Sequence, residues 1–146
     1  MKLSLLLWVA SFLPQPVSDQ VCLATTVYLE ARDQPMRGQI AVAEVALRRY
    51  EAQRRRESIC EVVKKPKQFA LTLVPPDTQV RNLRAWSKAW HVATDTIRLW
   101  QLPHPMRTQV VPGADHFYAS NIAKPVWAIG EPLATIGDHA FYRVRR

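Results

Sequence analysis

The spacing of apolar residues predicts a long amphipathic helix in the second half of the chain. Such residues recur there at steps of three and four, which places them on one helical face: Leu83, Trp86, Trp90, Ala93, Ile97 and Trp100. Asp77 directly follows two prolines and is the predicted N-cap of this helix. We interpret the tryptophans as core residues rather than as a ligand platform, and they are not assigned to the functional site.

The same periodicity predicts two helices in the first half of the chain. The first begins at Ser18 or Asp19, which are both good capping residues, and runs to Arg32. It ends before Pro35, because the residue that precedes a proline avoids the α conformation. Pro35 then suits the first turn of a second helix, which is rich in alanine, valine and isoleucine as far as Tyr50.

The sequence pattern in the last third of the chain predicts short strands instead of helices. Proline- and glycine-containing loops separate two aromatic, β-prone pieces, "HFYAS" at 116–120 and "HAFYRV" at 139–144. We find no internal repeat and no domain boundary, and 146 residues are enough for one domain with a core. The predicted fold class is α+β and mostly α, a single domain with a small antiparallel sheet near the C-terminus.

The first residues have the three-part layout of a secretory signal. "MKLSLLLWVASFLPQPVSDQ" carries one positive charge at Lys2 and an apolar run from Leu3 to Leu13, followed by a polar, proline-containing stretch. The run is too short to span a bilayer, which takes about 20 residues. We predict a signal sequence at 1–18 and an exported domain at 19–146, in the periplasm or cell envelope. The weak cleavage pattern leaves an uncleaved, temporarily membrane-held segment and a short buried helix as alternatives.

The two cysteines agree with export. Cys22 and Cys60 both follow the predicted signal, so a single disulfide formed in an oxidising compartment is the simplest interpretation. A nucleophilic Cys22 would need a nearby histidine and a lowered pKa, and the local sequence offers neither.

The charge of the chain favours an anionic partner. The formal net charge is +8 and the isoelectric point is near 10.0, which fits nucleic acid, anionic lipid or bacterial wall polymers. Export and a disulfide argue against nucleic acid as the partner, so we predict attachment to anionic envelope polymers and no binding of nucleic acid. We also predict that the protein is a monomer. The basic run Arg54–Arg56 is interpreted as a solvated helix end.

Glu30 is the candidate for acid–base chemistry. It shares its helix face with Leu23, Thr26 and Val27, and no lysine or arginine lies three or four positions away. An apolar neighbourhood and the carbonyl dipoles of a last helical turn both disfavour a carboxylate, so both raise the pKa of Glu30. An acid that stays protonated near neutral pH suits proton donation to a glycosidic oxygen. The alternative is a structural Glu30 paired with an arginine that is distant in sequence.

Four blocks of the chain resemble those of the SleB-type cell wall hydrolases, the family of spore cortex-lytic enzymes and related phage and proteobacterial lysins. In family order they are "CLATTVYLEARDQPMRGQIAVAEVALRR", "ICEVVKKPKQFA", "GADHFYASNIAKPVWA" and "IGDHAFYR". They extend from Cys22 to Arg143, which is nearly the whole predicted exported domain. The resemblance implies that 19–146 is a compact lysozyme-like or lytic-transglycosylase-like catalytic domain.

The resemblance also implies a reaction. Family members cut the glycan strand between N-acetylmuramic acid and N-acetylglucosamine, and the acid of their Y-x-E-A-R-G-E block falls on Glu30 here. The glutamate protonates the leaving oxygen and then assists the 6-hydroxyl of muramic acid in closing a 1,6-anhydro ring. This lytic transglycosylase scheme needs no protein nucleophile and no activated water, unlike the paired-carboxylate glycosidases. No cofactor and no metal are predicted.

The chain departs from the family pattern at several positions. Asp33 and Gln34 replace a Gly-Glu pair, Ala70 replaces a serine, and Leu47 replaces an asparagine. Loss of the second glutamate argues against double displacement at that position, and Asp33 is the candidate for a second carboxylate. Plain muramidase hydrolysis using Asp33 or water is therefore the alternative outcome.

The resemblance places substrate contacts around one groove, because a sugar strand needs hydrogen-bonding groups beside aromatic faces. Asp33 is the contact nearest to the proposed acid in sequence. The others are divided between two walls and a floor: Gln68 and Phe69, then His116, Tyr118 and Trp127, and beneath them His139 and Tyr142. Core packing is the alternative for the aromatic residues, and a buried structural role is the alternative for the two histidines.

A metal-dependent wall amidase or peptidase is a further alternative. It would draw on Asp115 and His116, on Asp138 and His139, and on His104. These residues lack the spacing of recognised metal motifs, such as H-E-x-x-H on one helix.

Overall fold

The computed structural model describes residues 1–55, 57–66 and 68–144, so Arg56 of the basic run lies outside the described residues. Within these ranges the chain forms six α-helices, one 3-10 helix and three strands. The elements, in chain order, are α1 (Leu3–Phe12), α2 (Val17–Ala31), α3 (Met36–Glu51), α4 (Ile59–Val63), α5 (Ala70–Leu73), α6 (Leu83–Trp100), the 3-10 helix His104–Met106, β1 (His116–Ala119), β2 (Ala134–Ile136) and β3 (His139–Tyr142). The predicted α+β, mostly helical class is confirmed.

Helix α2 is the centre of the domain. Ten of its residues are buried, and it packs against α1, α3, α4, α5 and α6. Ser18 and Asp19 lie inside its first turn and are buried, so the prediction that one of them caps the helix is wrong. Asp19 instead accepts a hydrogen bond from the backbone N–H of Cys60, at 3.1 Å. Cys60 forms the predicted disulfide with Cys22, which fixes α4 to α2.

Helices α3 and α6 form where they were predicted, but their first residues differ, and α3 ends at Glu51, before the basic run that was interpreted as its end. Pro35 precedes α3 as its N-cap residue, where an extended ψ of 155° replaces the expected helical conformation. Asn82 caps α6 by accepting from the backbone N–H of Ala85 at 3.0 Å, so the predicted cap at Asp77 is wrong. Leu83 begins the apolar stripe of α6 yet is 76% exposed, because the packed part of this helix starts further along.

The N-terminal segment is a helix packed on the domain. Leu3 and Ala10 of α1 are buried, whereas Trp8 and Phe12 are exposed and stack edge to face on its outer side. The backbone N–H of Leu3 donates to the carbonyl of Thr78 at 2.8 Å, which ties the start of the chain to the loop before α6. Among the described residues, no helix has the length and apolar composition needed to cross a bilayer. Removal of residues 1–18 during export stays a prediction.

The three strands form one antiparallel sheet in the order β1-β3-β2. The two predicted aromatic strands are β1 and β3, and β2 comes from a stretch that was interpreted as loop. Side chains alternate between the faces of a strand, so the register pairs Phe117 with Phe141, and Ala119 with His139, on one face. Phe141 on that face is fully buried in the helical core. The sheet therefore presents its His139 face to the end of α2.

Buried polar groups of α3 secure the loop that leads into the sheet. The Glu44 side chain is fully buried, and its two carboxylate oxygens accept the backbone N–H groups of Val110 and Val111, at 2.8 and 3.1 Å. One turn later, Arg48 donates to the carbonyl of Ala114 and to the side-chain oxygen of Gln109. These contacts satisfy backbone groups that would otherwise be buried without partners.

Candidate functional site

Glu30 lies in the last turn of α2 and is partly buried. Its Oε1 atom accepts a hydrogen bond of 2.5 Å from the backbone N–H of Ala70, the first residue of α5. Burial raises the pKa of Glu30, while the Ala70 N–H and the positive charge of Arg49 oppose the increase. The raised pKa of Glu30 agrees with the expectation from the sequence. The nearby positive charge of Arg49 comes from α3, so the spacing of residues along α2 could not predict it.

A cleft of about 310 Å³ opens in front of Glu30. The end of α2 and the turn into α3 form one side of it, and the end of β1 with the β2–β3 turn forms the other. We call this the Glu30 cleft; its polar lining residues are Glu30, Arg32, Asp33, Gln34, Asn121, Asp138 and His139. Two of the predicted substrate contacts, Asp33 and His139, therefore lie beside the proposed acid.

Gln34 joins the two sides of the Glu30 cleft. Its Nε2 donates to a carboxylate oxygen of Asp138 at 3.0 Å and to one of Asp33 at 3.2 Å. Its Oε1 accepts the backbone N–H of Asp138 at 2.9 Å. A glutamate at position 34 would place a third carboxylate beside those of Asp33 and Asp138, and the three negative charges would repel one another. The neutral amide of Gln34 avoids this repulsion, which gives a physical reason for the departure from the family pattern.

His139 is buried on β3, with 4% of its surface exposed. Its Nδ1 has no hydrogen-bond partner in the described part of the chain. Burial lowers the pKa of His139, although the charges of Asp33 and Asp138 act in the opposite direction. A neutral imidazole at the rim of the cleft can therefore accept or donate a hydrogen bond without carrying charge.

The structure separates the predicted aromatic contacts from Glu30. Tyr118, Trp127 and Tyr142 pack against one another on the face of the sheet opposite His139, with ring centroids 5.8 to 6.0 Å apart. Phe69 is 1% exposed and packs in the core, beneath the guanidinium of Arg49. None of these four side chains lines the Glu30 cleft.

Gln68 and His116 line a second, larger depression. This depression has a volume of about 1510 Å³ and is bordered by the end of α3, by α4 and by the segments on either side of the sheet. We call it the basic cleft, since seven lysine and arginine residues and only three acidic residues line its described part. Arg49 lines the basic cleft, and its charge also acts on Glu30. It donates to Gln68 at 3.2 Å and to the carbonyl of Asp115 at 2.6 Å.

The residues of the metal-dependent alternative are dispersed. Asp115 and His116 interact with each other at 2.8 Å at the start of β1, Asp138 and His139 lie at the Glu30 cleft, and His104 borders the basic cleft. Within residues 1–55, 57–66 and 68–144, no group of three or more histidine, cysteine or acidic side chains is arranged to hold a metal ion.

Three elements of the site were not identified from the sequence: the Ala70 N–H, the Arg49 charge and the Gln34–Asp138 link. The Glu30–Ala70 contact joins residues 40 positions apart, and the Gln34–Asp138 contact joins residues 104 positions apart. Helix periodicity reports only neighbours three or four positions away. The one available signal for Asp138 was its place beside a glycine, just before a strand.

The chain matches the family model described as cell wall hydrolase over residues 33–142. The matched range begins just after the last turn of α2 and so does not include Glu30. This range is most of the chain, and the protein belongs to the cell wall hydrolase family. Members of this family degrade peptidoglycan, which locates the protein outside the cytoplasm or at the envelope.

Two solved structures share the fold. The catalytic domain of the Bacillus cereus SleB protein has 24% sequence identity and a TM-score of 0.67, covering 86% of this chain and 89% of its own. The catalytic domain of the germination-specific lytic transglycosylase SleB from Bacillus anthracis has the same identity and TM-score, covering 90% of this chain and 100% of its own. A comparison with curated proteins gives no match.

Proposed function

We propose that the protein is a lytic transglycosylase that cuts peptidoglycan between N-acetylmuramic acid and N-acetylglucosamine, with Glu30 as its general acid and base. One observation carries the proposal: Glu30 has a raised pKa and stands at a cleft, held by a backbone N–H. The description of the Bacillus anthracis relative as a lytic transglycosylase supports the same reaction type.

The proposed reaction uses one side chain in two successive roles. Protonated Glu30 donates its proton to the bridging oxygen as the bond between that oxygen and C1 of the muramic acid breaks. The 6-hydroxyl oxygen of the same sugar then bonds to C1, and its proton passes to the Glu30 carboxylate. Glu30 ends in its starting form and no water is consumed.

The surroundings of Glu30 support both roles. Burial raises the pKa of Glu30, which favours the protonated acid before the reaction. After transfer, the Ala70 N–H and the Arg49 charge stabilise the carboxylate. Since Oε1 is engaged by Ala70, we assign the transferable proton to Oε2. Asp33 and His139 are proposed to contact the sugar at the same cleft.

Hydrolysis is the second candidate, and one observation favours it. Asp33 is exposed and lines the Glu30 cleft, so its carboxylate could activate a water molecule on the far side of the sugar. The two reactions differ in whether the muramic acid product contains the elements of water.

The products of purified peptidoglycan distinguish the candidates. We expect mass spectrometry to find muramic acid ends that are lighter than the reducing sugar by one water, the signature of a 1,6-anhydro ring. Reducing muramic acid ends would assign the protein to hydrolysis, with Asp33 as the base. Free stem peptides without cleaved glycan would contradict both glycosidase schemes. The Glu30→Gln variant, processed in parallel, controls for contaminating enzymes.

The pH dependence of cleavage should report the state of Glu30. The acid is competent only while protonated, so the rate is expected to fall as the pH rises through its pKa. Because burial raises that pKa, the fall should lie at a higher pH than the ordinary glutamate value. Arg49→Gln removes a charge that favours the carboxylate, so it should move the fall to still higher pH. Arg49→Lys keeps the charge and should move it less; a fall unaffected by either change would contradict this role of Arg49.

We also infer that the protein acts after export, with residues 1–18 as the export signal. A family acting on the cell wall and a disulfide between Cys22 and Cys60 both support this location.

A further inference from the structure

The basic cleft carries more positive charge than its own carboxylates balance. Glu51 pairs with Arg107 at 2.7 Å, and Glu57 pairs with Lys65 at 3.0 Å. Asp115, the third acidic residue of the cleft, interacts with His116 at 2.8 Å. Each acidic side chain of the basic cleft therefore already has a partner, and part of the positive charge of the cleft is not balanced by a carboxylate.

Three exposed arginines make up much of this excess. Arg54 and Arg55 follow α3, Arg143 follows β3, and all three line the basic cleft. In the described part of the chain, no carboxylate forms an ion pair with any of the three. Guanidinium groups that line one depression attract carboxylates, which an arginine can bind in a bidentate manner. The basic run that we interpreted as a solvated helix end therefore borders a concave, cationic surface.

The basic cleft lies close to Glu30, since the charge of Arg49, which lines the cleft, acts on the Glu30 carboxyl. Gln68 lines the basic cleft, and Ala70, two residues later, donates to Glu30. Two residues of extended chain span about 7 Å at most. A ligand at Glu30 therefore needs only a few residues of peptide to reach Gln68, which lines the basic cleft.

We propose that the basic cleft binds the acidic peptide stem attached to the muramic acid, so that the enzyme prefers glycan strands that carry stems. The inference rests on the proposed glycan cleavage at Glu30. The glycan backbone itself is built of acetylated sugars, whereas the stem, linked to the lactyl group, carries several free carboxylates. The short distance between Glu30 and the basic cleft favours a stem over a separate anionic polymer, because a stem begins at the sugar that occupies the Glu30 cleft.

Paired substrates test this proposal directly. Peptidoglycan strands are prepared with their stems, and a matched sample is stripped of stems by an amidase. We expect the wild-type protein to cut stem-bearing strands roughly three to ten times faster, the gain that three exposed charge pairs give. In the triple variant Arg54→Gln, Arg55→Gln, Arg143→Gln, the ratio of the two rates should fall toward one.

A second triple variant controls for net charge. Arg81→Gln, Arg84→Gln, Arg98→Gln removes the same charge from exposed positions on and before α6, and these residues line neither cleft. It should keep the wild-type ratio. Equal rates on the two substrates for the wild type, or equal loss of the ratio in both variants, would overturn the proposal.

A binding measurement separates this inference from the proposed reaction. Titration of full-length Glu30→Gln with a soluble stem tetrapeptide, followed by NMR, does not depend on cleavage. Shifts confined to the basic cleft, lost in the Arg54, Arg55 and Arg143 variant, would support stem binding even if no glycan were cut. Absence of such shifts at millimolar peptide, combined with normal glycan cleavage, would reject the stem site and leave the reaction standing.

Discussion

Glu30→Gln is expected to lower the rate of peptidoglycan cleavage by roughly 10²- to 10⁴-fold, the usual contribution of a positioned general acid. The glutamine cannot donate a proton of suitable acidity, and it cannot take up the proton of the 6-hydroxyl. Its side-chain oxygen can still accept the hydrogen bond that Ala70 donates to Oε1. Thermal unfolding of the variant should therefore stay close to that of the wild type, which distinguishes lost chemistry from lost structure.

Two further variants complete that experiment. Glu131→Gln changes an exposed glutamate that does not line the Glu30 cleft, and it should retain full activity. Asp33→Asn should slow cleavage far less than Glu30→Gln if the sugar supplies its own nucleophile. A comparable loss in both the Glu30 and Asp33 variants would instead favour the water-dependent reaction. Cleavage at a wild-type rate by Glu30→Gln would remove the proposed function.

Gly137→Ala is expected to disturb both stability and the Glu30 cleft. Gly137 has φ of +55°, and a Cβ atom there would lie 2.2 Å from Oε1 of Gln34 and 3.0 Å from Cδ of Pro35. The backbone strain alone costs about 1–3 kcal/mol. Displacement of Gln34 would also break its hydrogen bonds to Asp138, each contributing about 0.5–1.5 kcal/mol. Chemical denaturation and cleavage rates measured together would show the combined effect.

Gly130→Ala is the matched control for the steric part of this effect. Gly130 has φ of +75°, but a Cβ atom there meets no other heavy atom within 4 Å. This variant should lose only the energy of backbone strain and should keep its cleavage rate. Equal losses of stability and activity in the two variants would show that the contact with Gln34 does not matter.

The helices could be predicted from the sequence because their buried residues recur at regular intervals. Stripes at three- and four-residue steps located α2, α3 and α6 to within a few residues of their ends. The N-cap residues were harder to predict. For α6, Asp77 and Asn82 are both suitable residues, and the local sequence pattern does not distinguish between them. The choice depends on tertiary contacts: the backbone N–H of Asn82 donates to the hydroxyl of Tyr28 on α2 at 3.3 Å, just before α6 begins.

The candidate site could be predicted only in part from the sequence. Glu30 was recognised because one carboxylate on an apolar helix face is unusual, whatever lies opposite it. Alternation along a strand already separates His139 from Tyr142, since positions an odd number apart face opposite sides. The register of β3 against β1 is set by packing, so the position of His139 opposite Ala119 could not be inferred from either strand alone.

The link between Gln34 and Asp138 has a consequence for biosynthesis. Its partners are 104 residues apart, so one side of the Glu30 cleft is present only after Asp138 has been translated. Contacts of such long range form late in folding, because the intervening chain loses entropy before they become favourable. A ribosome-bound or prematurely terminated product lacking β3 would contain Glu30 without Asp138 and His139 facing it. The complete Glu30 cleft thus arises only after β3 has been synthesised and has paired with β1.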